Sequence, residues 1–244
     1  MISTNVVLFF AAVLLGCVSL VMFLKSRVKA ATPGAALWKT VTSVFFILTA
    51  LVGTLSASRA EDFRFGALIM VGLTLGMIGD ITLDLKFVYP QDQRQWTYAG
   101  FISFMIGHFF YIGSMFYMFR GPEMSPLYIV IPLIIALVVA IAVVAGEKLL
   151  KLQYGEYKAI TGVYGFVLVS TTAFAGSFSI FTHFAAVPVV MFVGGVFFLI
   201  SDLILSGTYF GQGKNRPIDV ITNHVTYYIA QYLFAASVML CAFR

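Results

Sequence analysis

Charge is what this chain has least of. Lys, Arg, Asp and Glu together make up 10% of 244 residues, against 61% apolar residues; a water-soluble domain carries about a quarter charged residues and is near half apolar. A soluble globule is therefore excluded. Cysteine is also scarce: Cys17 and Cys241 both sit in apolar runs without metal-ligand spacing, which removes a disulfide framework and a thiolate metal site. There is no G-x-S-x-G elbow, no H-E-x-x-H, no C-x-x-C, no P-loop and no G-x-G-x-x-G after a strand. Classical serine-hydrolase, zinc-protease and nucleotide chemistry lose their usual signatures.

What the chain has in abundance is long apolar runs. At roughly 20 residues per membrane crossing, eight crossings take about 160 residues and leave about 84 for tails and connections, so no extramembrane domain fits. The expectation is an all-α polytopic transmembrane bundle of about eight spans, forming one domain over residues 1–244. The runs fall at 6–24, 37–55, 65–83, 98–118, 127–145, 159–180, 184–205 and 218–242. The first run has no basic residue before it and Lys25, Arg27 and Lys29 after it, so it reads as a retained helix and not a cleaved signal.

Basic residues set the expected orientation. Lys25, Arg27, Lys29, Lys39, Lys86, Arg94, Lys148, Lys151, Lys158, Lys214 and Arg216 fall in odd-numbered connections, whereas Arg59, Arg64, Arg120 and Arg244 fall on the other side. The positive-inside rule then puts both termini in the periplasm of a bacterial inner membrane and the odd connections in the cytoplasm. Trp38 and Trp96 sit where the second and fourth spans start from the basic side, in keeping with interfacial rings. The net charge of +5 follows from topology and is no sign of nucleic-acid binding.

An acid inside a span costs about 2.5 to 3.5 kcal/mol on insertion scales, so those that persist mark a site. Asp80 ends Met77-Ile78-Gly79-Asp80 in the third span, and Asp202 ends Leu199-Ile200-Ser201-Asp202 in the seventh. At 1.5 Å per residue, each sits roughly 5 to 10 Å inside the basic-side edge of the hydrocarbon. Gly72, Gly76, Asp80 and Asp84 recur every four residues, forming one ridge that small residues press against a neighbouring helix. Gly195 and Ser206 share a stripe with Asp202. Asp84 stands near Lys86 and reads either as a solvated ion pair or as part of the site. The eighth span brings Asn223 and His224 to similar depth, with Tyr227, Tyr228 and Gln231 deeper; the fourth carries His108 and Tyr111. Hydroxyls of Ser170-Thr171-Thr172 are expected to bond back to their own helix. The two Asp motifs lie four spans and half the chain apart, which suggests a weak parallel duplication of a four-helix unit.

At these residues the sequence resembles the YhhN-like lysoplasmalogenase family of multi-span membrane proteins. The segments that carry the likeness are Gly76-Met77-Ile78-Gly79-Asp80-Ile81-Thr82-Leu83, Gly107-His108-Phe109-Phe110-Tyr111, Phe198-Leu199-Ile200-Ser201-Asp202 and Thr226-Tyr227-Tyr228-Ile229-Ala230-Gln231-Tyr232-Leu233, in that order. The resemblance implies hydrolysis of the vinyl ether bond of a lysoplasmalogen to a fatty aldehyde and a glycerophospho-base, with Asp80 and Asp202 as catalytic acids. Its substrate would be a lysophospholipid taken from the bilayer, and no cofactor or metal is implied. Asp84 and His224 match no motif of the family, so their roles rest on the residues alone. Asp84, His108, Tyr111, Asn223, His224, Tyr227, Tyr228 and Gln231 are the candidate supporting or substrate-binding residues. Two other readings use the same groups: a metal-dependent hydrolase with His108, His224 and Asp as ligands, and a proton-coupled transporter.

Overall fold

The structure, a computed structural model, describes residues 4–211 and 216–244; Lys214, counted above among the basic residues, lies outside the described residues. Eight long helices follow one another: α1 Thr4–Arg27, α2 Pro33–Leu55, α3 Ala60–Val88, α4 Gln93–Phe119, α5 Leu127–Ala145, α6 Lys158–Phe181, α7 Ala186–Phe210 and α8 Pro217–Ala242. Among the described residues all eight are long and apolar enough to cross a membrane, and there is no strand. The protein is an integral-membrane helical bundle.

Several helices start deeper in polar sequence than the apolar runs suggest. Lys39 lies within α2, Lys86 within α3, Arg94 within α4 and Lys158 at the start of α6, so none of them belongs to a connection. At α2 and α8 capping chemistry sets the start. Thr32 accepts the Ala35 N–H at 3.2 Å and Pro33 opens α2, so the helix starts ahead of the apolar run and Lys39 lies in its second turn. At α8, Asp219 reaches back to the Arg216 N–H at 3.1 Å with Pro217 at the first position. The α6–α7 connection closes with His183 and Phe184 at φ 52° and 62°, and the Phe184 N–H donates to the Ser179 carbonyl at 2.7 Å.

Within the first half α1 packs on α2, α2 on α3, and α3 on α4, with α4 reaching α6; within the second half α5 packs on α6, α6 on α7, and α7 on α8, with α8 reaching α2. The second four helices thus repeat the pairing of the first, as the proposed duplication requires. The repeat is imperfect, because α8 also packs against α3 and α1. α1 and α5 are the outer helices and turn Phe10, Leu14, Ile134 and Val138 outward, a surface matched to lipid.

The glycine ridge of α3 faces protein, as its spacing predicts. A Cβ on Gly72 would lie 2.3 Å from the Tyr111 ring and 3.0 Å from the Gly107 carbonyl, and one on Gly76 would lie 2.6 Å from Gln231 Nε2. These close approaches hold α3 against α4 and α8 through backbone contact that any side chain would prevent. Ser170, Thr171 and Thr172 do bond to carbonyls four residues back, at 2.7, 3.1 and 3.5 Å. At the far end of α3, Asp62 accepts from Arg59 at 2.6 Å, Arg244 at 3.0 Å and the Cys241 thiol at 3.3 Å, which ties the ends of α3 and α8 together.

Candidate active site

At the opposite, basic end of the bundle a cavity of about 420 Å³ opens among α1, α2, α3, α4, α6, α7 and α8. Asp80, Asp84 and Asp202 line it, as do Arg27, Lys39 and Lys86. The two acids singled out by the sequence therefore face one space, from helices in opposite halves of the chain.

Asp80 is buried and fully engaged. Its Oδ2 accepts the Ser43 hydroxyl at 2.7 Å and the Tyr227 hydroxyl at 2.8 Å, and its Oδ1 lies 3.3 Å from Lys39 Nζ. The Tyr227 oxygen in turn accepts from Gln231 Nε2 at 2.8 Å, and Gln231 Oε1 accepts from the Tyr111 hydroxyl at 3.0 Å. Tyr228 donates to the Lys39 carbonyl at 3.0 Å and lies 3.1 Å from Ser43 Oγ. Tyr227, Tyr228, Gln231 and Tyr111 thus form one network that ends on Asp80; Tyr111 and Gln231 do not line the cavity and act at a distance from it.

Asp84 is not a solvated partner of Lys86. It is 2% exposed and pairs with Lys39 at 3.2 Å and with Arg27 at 3.7 Å. Lys39 thus stands between two buried carboxylates, one turn apart on α3, and offsets a repulsion that neither would survive alone. Lys39, Ser43 and Arg27 were not among the sequence candidates. Lys39 was read as part of a connection because it borders the apolar run, although Lys39 and Ser43 are spaced by one helical turn, the same signal that picked out the Gly72–Asp84 ridge.

Asp202 is set differently. It is only partly buried, and among the described residues its single hydrogen-bond partner is the Tyr164 hydroxyl of α6, with no ion pair. Tyr164 packs edge-on to Phe101, with ring centres 5.3 Å apart; it is the one tyrosine of span six, but the sequence does not show that it meets Asp202. Asn223 donates to the Ser201 carbonyl at 2.7 Å and to its Oγ at 3.1 Å, which fixes the Ser201-Asp202 turn of α7 against α8.

The two candidate histidines occupy separate environments. His224 lines the cavity, donates through Nδ1 to the Val220 carbonyl at 2.8 Å and packs edge-on to Phe23 at 4.8 Å. His108 does not line it. Its Nδ1 lies 3.1 Å from Thr171 Oγ1, its Nε2 is buried without a partner, and its ring packs on Phe198 at 4.7 Å. Among the described residues no group of three His, Cys, Asp or Glu side chains is arranged to hold a metal ion.

A family model, the YhhN family, matches residues 34–238, from the first turn of α2 to the last turns of α8. The chain belongs to the YhhN family. No curated relative and no solved structure matches it. The matched region of this YhhN chain contains Lys39, Asp80, Asp84, Asp202, Tyr164 and Tyr227; α1, which supplies Arg27 to the cavity, lies outside it.

Proposed function

We propose that this protein is an intramembrane hydrolase that opens the vinyl ether bond of lysoplasmalogens, with Asp202 as proton donor and Asp80 as the fixed negative charge. One observation carries the reading: in a chain of the YhhN family, two carboxylates line one cavity in unlike electrostatic settings. Such pairs divide acid and charge-stabilising roles between them.

An enol ether is inert to base and opens when its outer vinyl carbon takes a proton. Asp202, with no cation at ion-pair distance among the described residues and aromatic neighbours around it, holds a proton in the cavity and delivers it to that carbon. The ether oxygen then shares a positive charge with the adjacent carbon as an oxocarbenium ion. Asp80, ionised by Lys39 and by two donated hydroxyls, stabilises that cation through space. Water adds to the cationic carbon and gives its proton to the now ionised Asp202, which restores the acid. The hemiacetal collapses to a fatty aldehyde and the sn-1 hydroxyl of a glycerophospho-base. One water is consumed, and no redox change or cofactor enters.

The basic end, by the positive-inside rule, faces the cytoplasm, and both termini lie on the other side. A lysolipid of the cytoplasmic leaflet has its sn-1 linkage just below its headgroup, at the depth of Asp80 and Asp202. The test is to incubate purified protein with a lysoplasmenyl ethanolamine and, separately, with its ester-linked counterpart in D₂O, trapping the product by reduction. The expected result is fatty alcohol from the vinyl ether alone, bearing one deuterium on the carbon next to the former aldehyde. Release of fatty acid from the ester lipid, or unlabelled product, would overturn the assignment.

A further inference from the structure

Lys86 is a buried basic residue that has no close anionic partner among the described residues. It is 7% exposed, lies six residues beyond Asp80 on α3 and lines the same cavity. Its ammonium lies 3.0 Å from the centre of the Tyr209 ring and 5.0 Å from that of Phe87. Among the described residues it has neither a hydrogen-bond acceptor nor a carboxylate at ion-pair distance. Lys39 differs, because it takes up both Asp80 and Asp84. Beside Lys86 stands Arg27, whose guanidinium lies over the Phe87 ring at 4.4 Å and makes only a long contact, 3.7 Å, with Asp84. Asp84 acts on Lys86 only through space, against the positive charges of Arg27 and Lys39; an ammonium withdrawn from water without a close counter-charge is strongly disfavoured, and ring faces recover only part of that cost. Two cations and two aromatic rings thus line one side of the cavity, a lining whose charge suits an anion.

We infer that Lys86, together with Arg27, receives the phosphate of a lysophospholipid headgroup, and that this contact decides which lipids the site accepts. The inference rests on the lysolipid reading above and specifies how that substrate is held. The dimensions agree. Six residues of helix put Lys86 about 9 Å along α3 from Asp80; five bonds separate the sn-1 oxygen of a glycerophospholipid from its phosphorus, about 6 to 7 Å when extended. Long side chains close the remainder. A lipid anchored by its phosphate at Lys86 presents its ether linkage at the level of the carboxylates. The charges agree as well: with Asp202 protonated, Arg27, Lys39 and Lys86 exceed Asp80 and Asp84 by one positive charge, which a phosphodiester balances.

Binding to detergent-solubilised protein tests this with ligands that cannot be cleaved: a 1-O-alkyl lysophosphoethanolamine, the matching 1-O-alkylglycerol without phosphate, and inorganic phosphate. Wild-type protein is expected to bind the lysophospholipid at least tenfold more tightly than the alkylglycerol. Lys86→Met should remove that preference while leaving alkylglycerol binding as it was, and Lys86→Arg, which keeps the charge and checks folding, should retain it. Arg27→Gln should reduce it in part. Retained preference in Lys86→Met would overturn the inference, as would inorganic phosphate binding as tightly as the lysolipid, which would make this a site for the free anion. Wild-type protein that shows the preference yet releases no aldehyde from a vinyl ether lipid would leave the headgroup site standing and remove only the hydrolase reading.

Discussion

Asp80 on α3 and Asp202 on α7 hold matching places in the two halves of the bundle, but one is surrounded by donors and the other is nearly alone. Asp80 has a cation and two hydroxyls; Asp202 has Tyr164. Each acid takes a hydroxyl from the helix before it in the chain, Ser43 from α2 and Tyr164 from α6, across sequence gaps of 37 and 38 residues. The geometry is repeated and the electrostatics are not. Lys39 makes the difference: its counterpart position on α6 is occupied by no cation that reaches Asp202. Two similarly placed acids can serve distinct chemical tasks when one has a charge beside it that the other lacks.

The comparison is most exposed to substitution of the acids themselves. Asp202→Asn should cost roughly 10²- to 10⁴-fold in aldehyde release, the range for a positioned general acid, while the protein elutes and melts like the wild type. Asp80→Asn should reduce turnover on the same scale. Near-normal activity in either variant would break the division of roles. Next comes Lys39→Met, which strands Asp80 and Asp84 in the bundle. It should destabilise the fold by about 3 to 5 kcal/mol in chemical unfolding from detergent, and Asp84→Asn added to it should restore part of the loss. No variant around Asp202 should show so large a stability effect.

Tyr164→Phe removes the one donor that Asp202 has among the described residues and should lower kcat by about tenfold or more, because the bond becomes one to a charged group once Asp202 gives up its proton. The smallest effects belong to Tyr227→Phe and Ser43→Ala, each of which leaves Asp80 with another hydroxyl and Lys39; kcat should fall by a factor of only a few. The double variant should lose more than the product of the two single losses. If Tyr227→Phe instead costs as much as Tyr164→Phe, the donors at Asp80 are not redundant and the contrast fails.

Helix number, the shared end of the bundle at which both acids lie and the inward face of the Gly72–Asp84 ridge could be read from the sequence, because apolar length and four-residue spacing are local signals. Tyr227, Tyr228 and Gln231 were also legible as deep polar groups on one helix. What the sequence hid was pairing. Lys39 sits near the start of an apolar run, and only the packing of α2 on α3 shows that it is buried between Asp80 and Asp84. Tyr164 is one of many aromatic residues and gains meaning only from the α6–α7 packing. Asp84 looked like a neighbour of Lys86, yet in a helix residues two apart point to different sides, which sends one toward Lys39 and the other toward Tyr209.

The tyrosine that joins the halves has a further consequence for how the protein is made. The partners of Asp80 on α2 are available as soon as α3 follows it, whereas Tyr227 is 147 residues away on α8. A chain emerging from its N-terminus can therefore pass Asp80 into the bilayer already neutralised by Lys39, within one hairpin. Asp202 likewise meets Tyr164 within its own hairpin. Neither acid waits for the other half to be synthesised, and α8 then locks two prepared hairpins around a shared cavity.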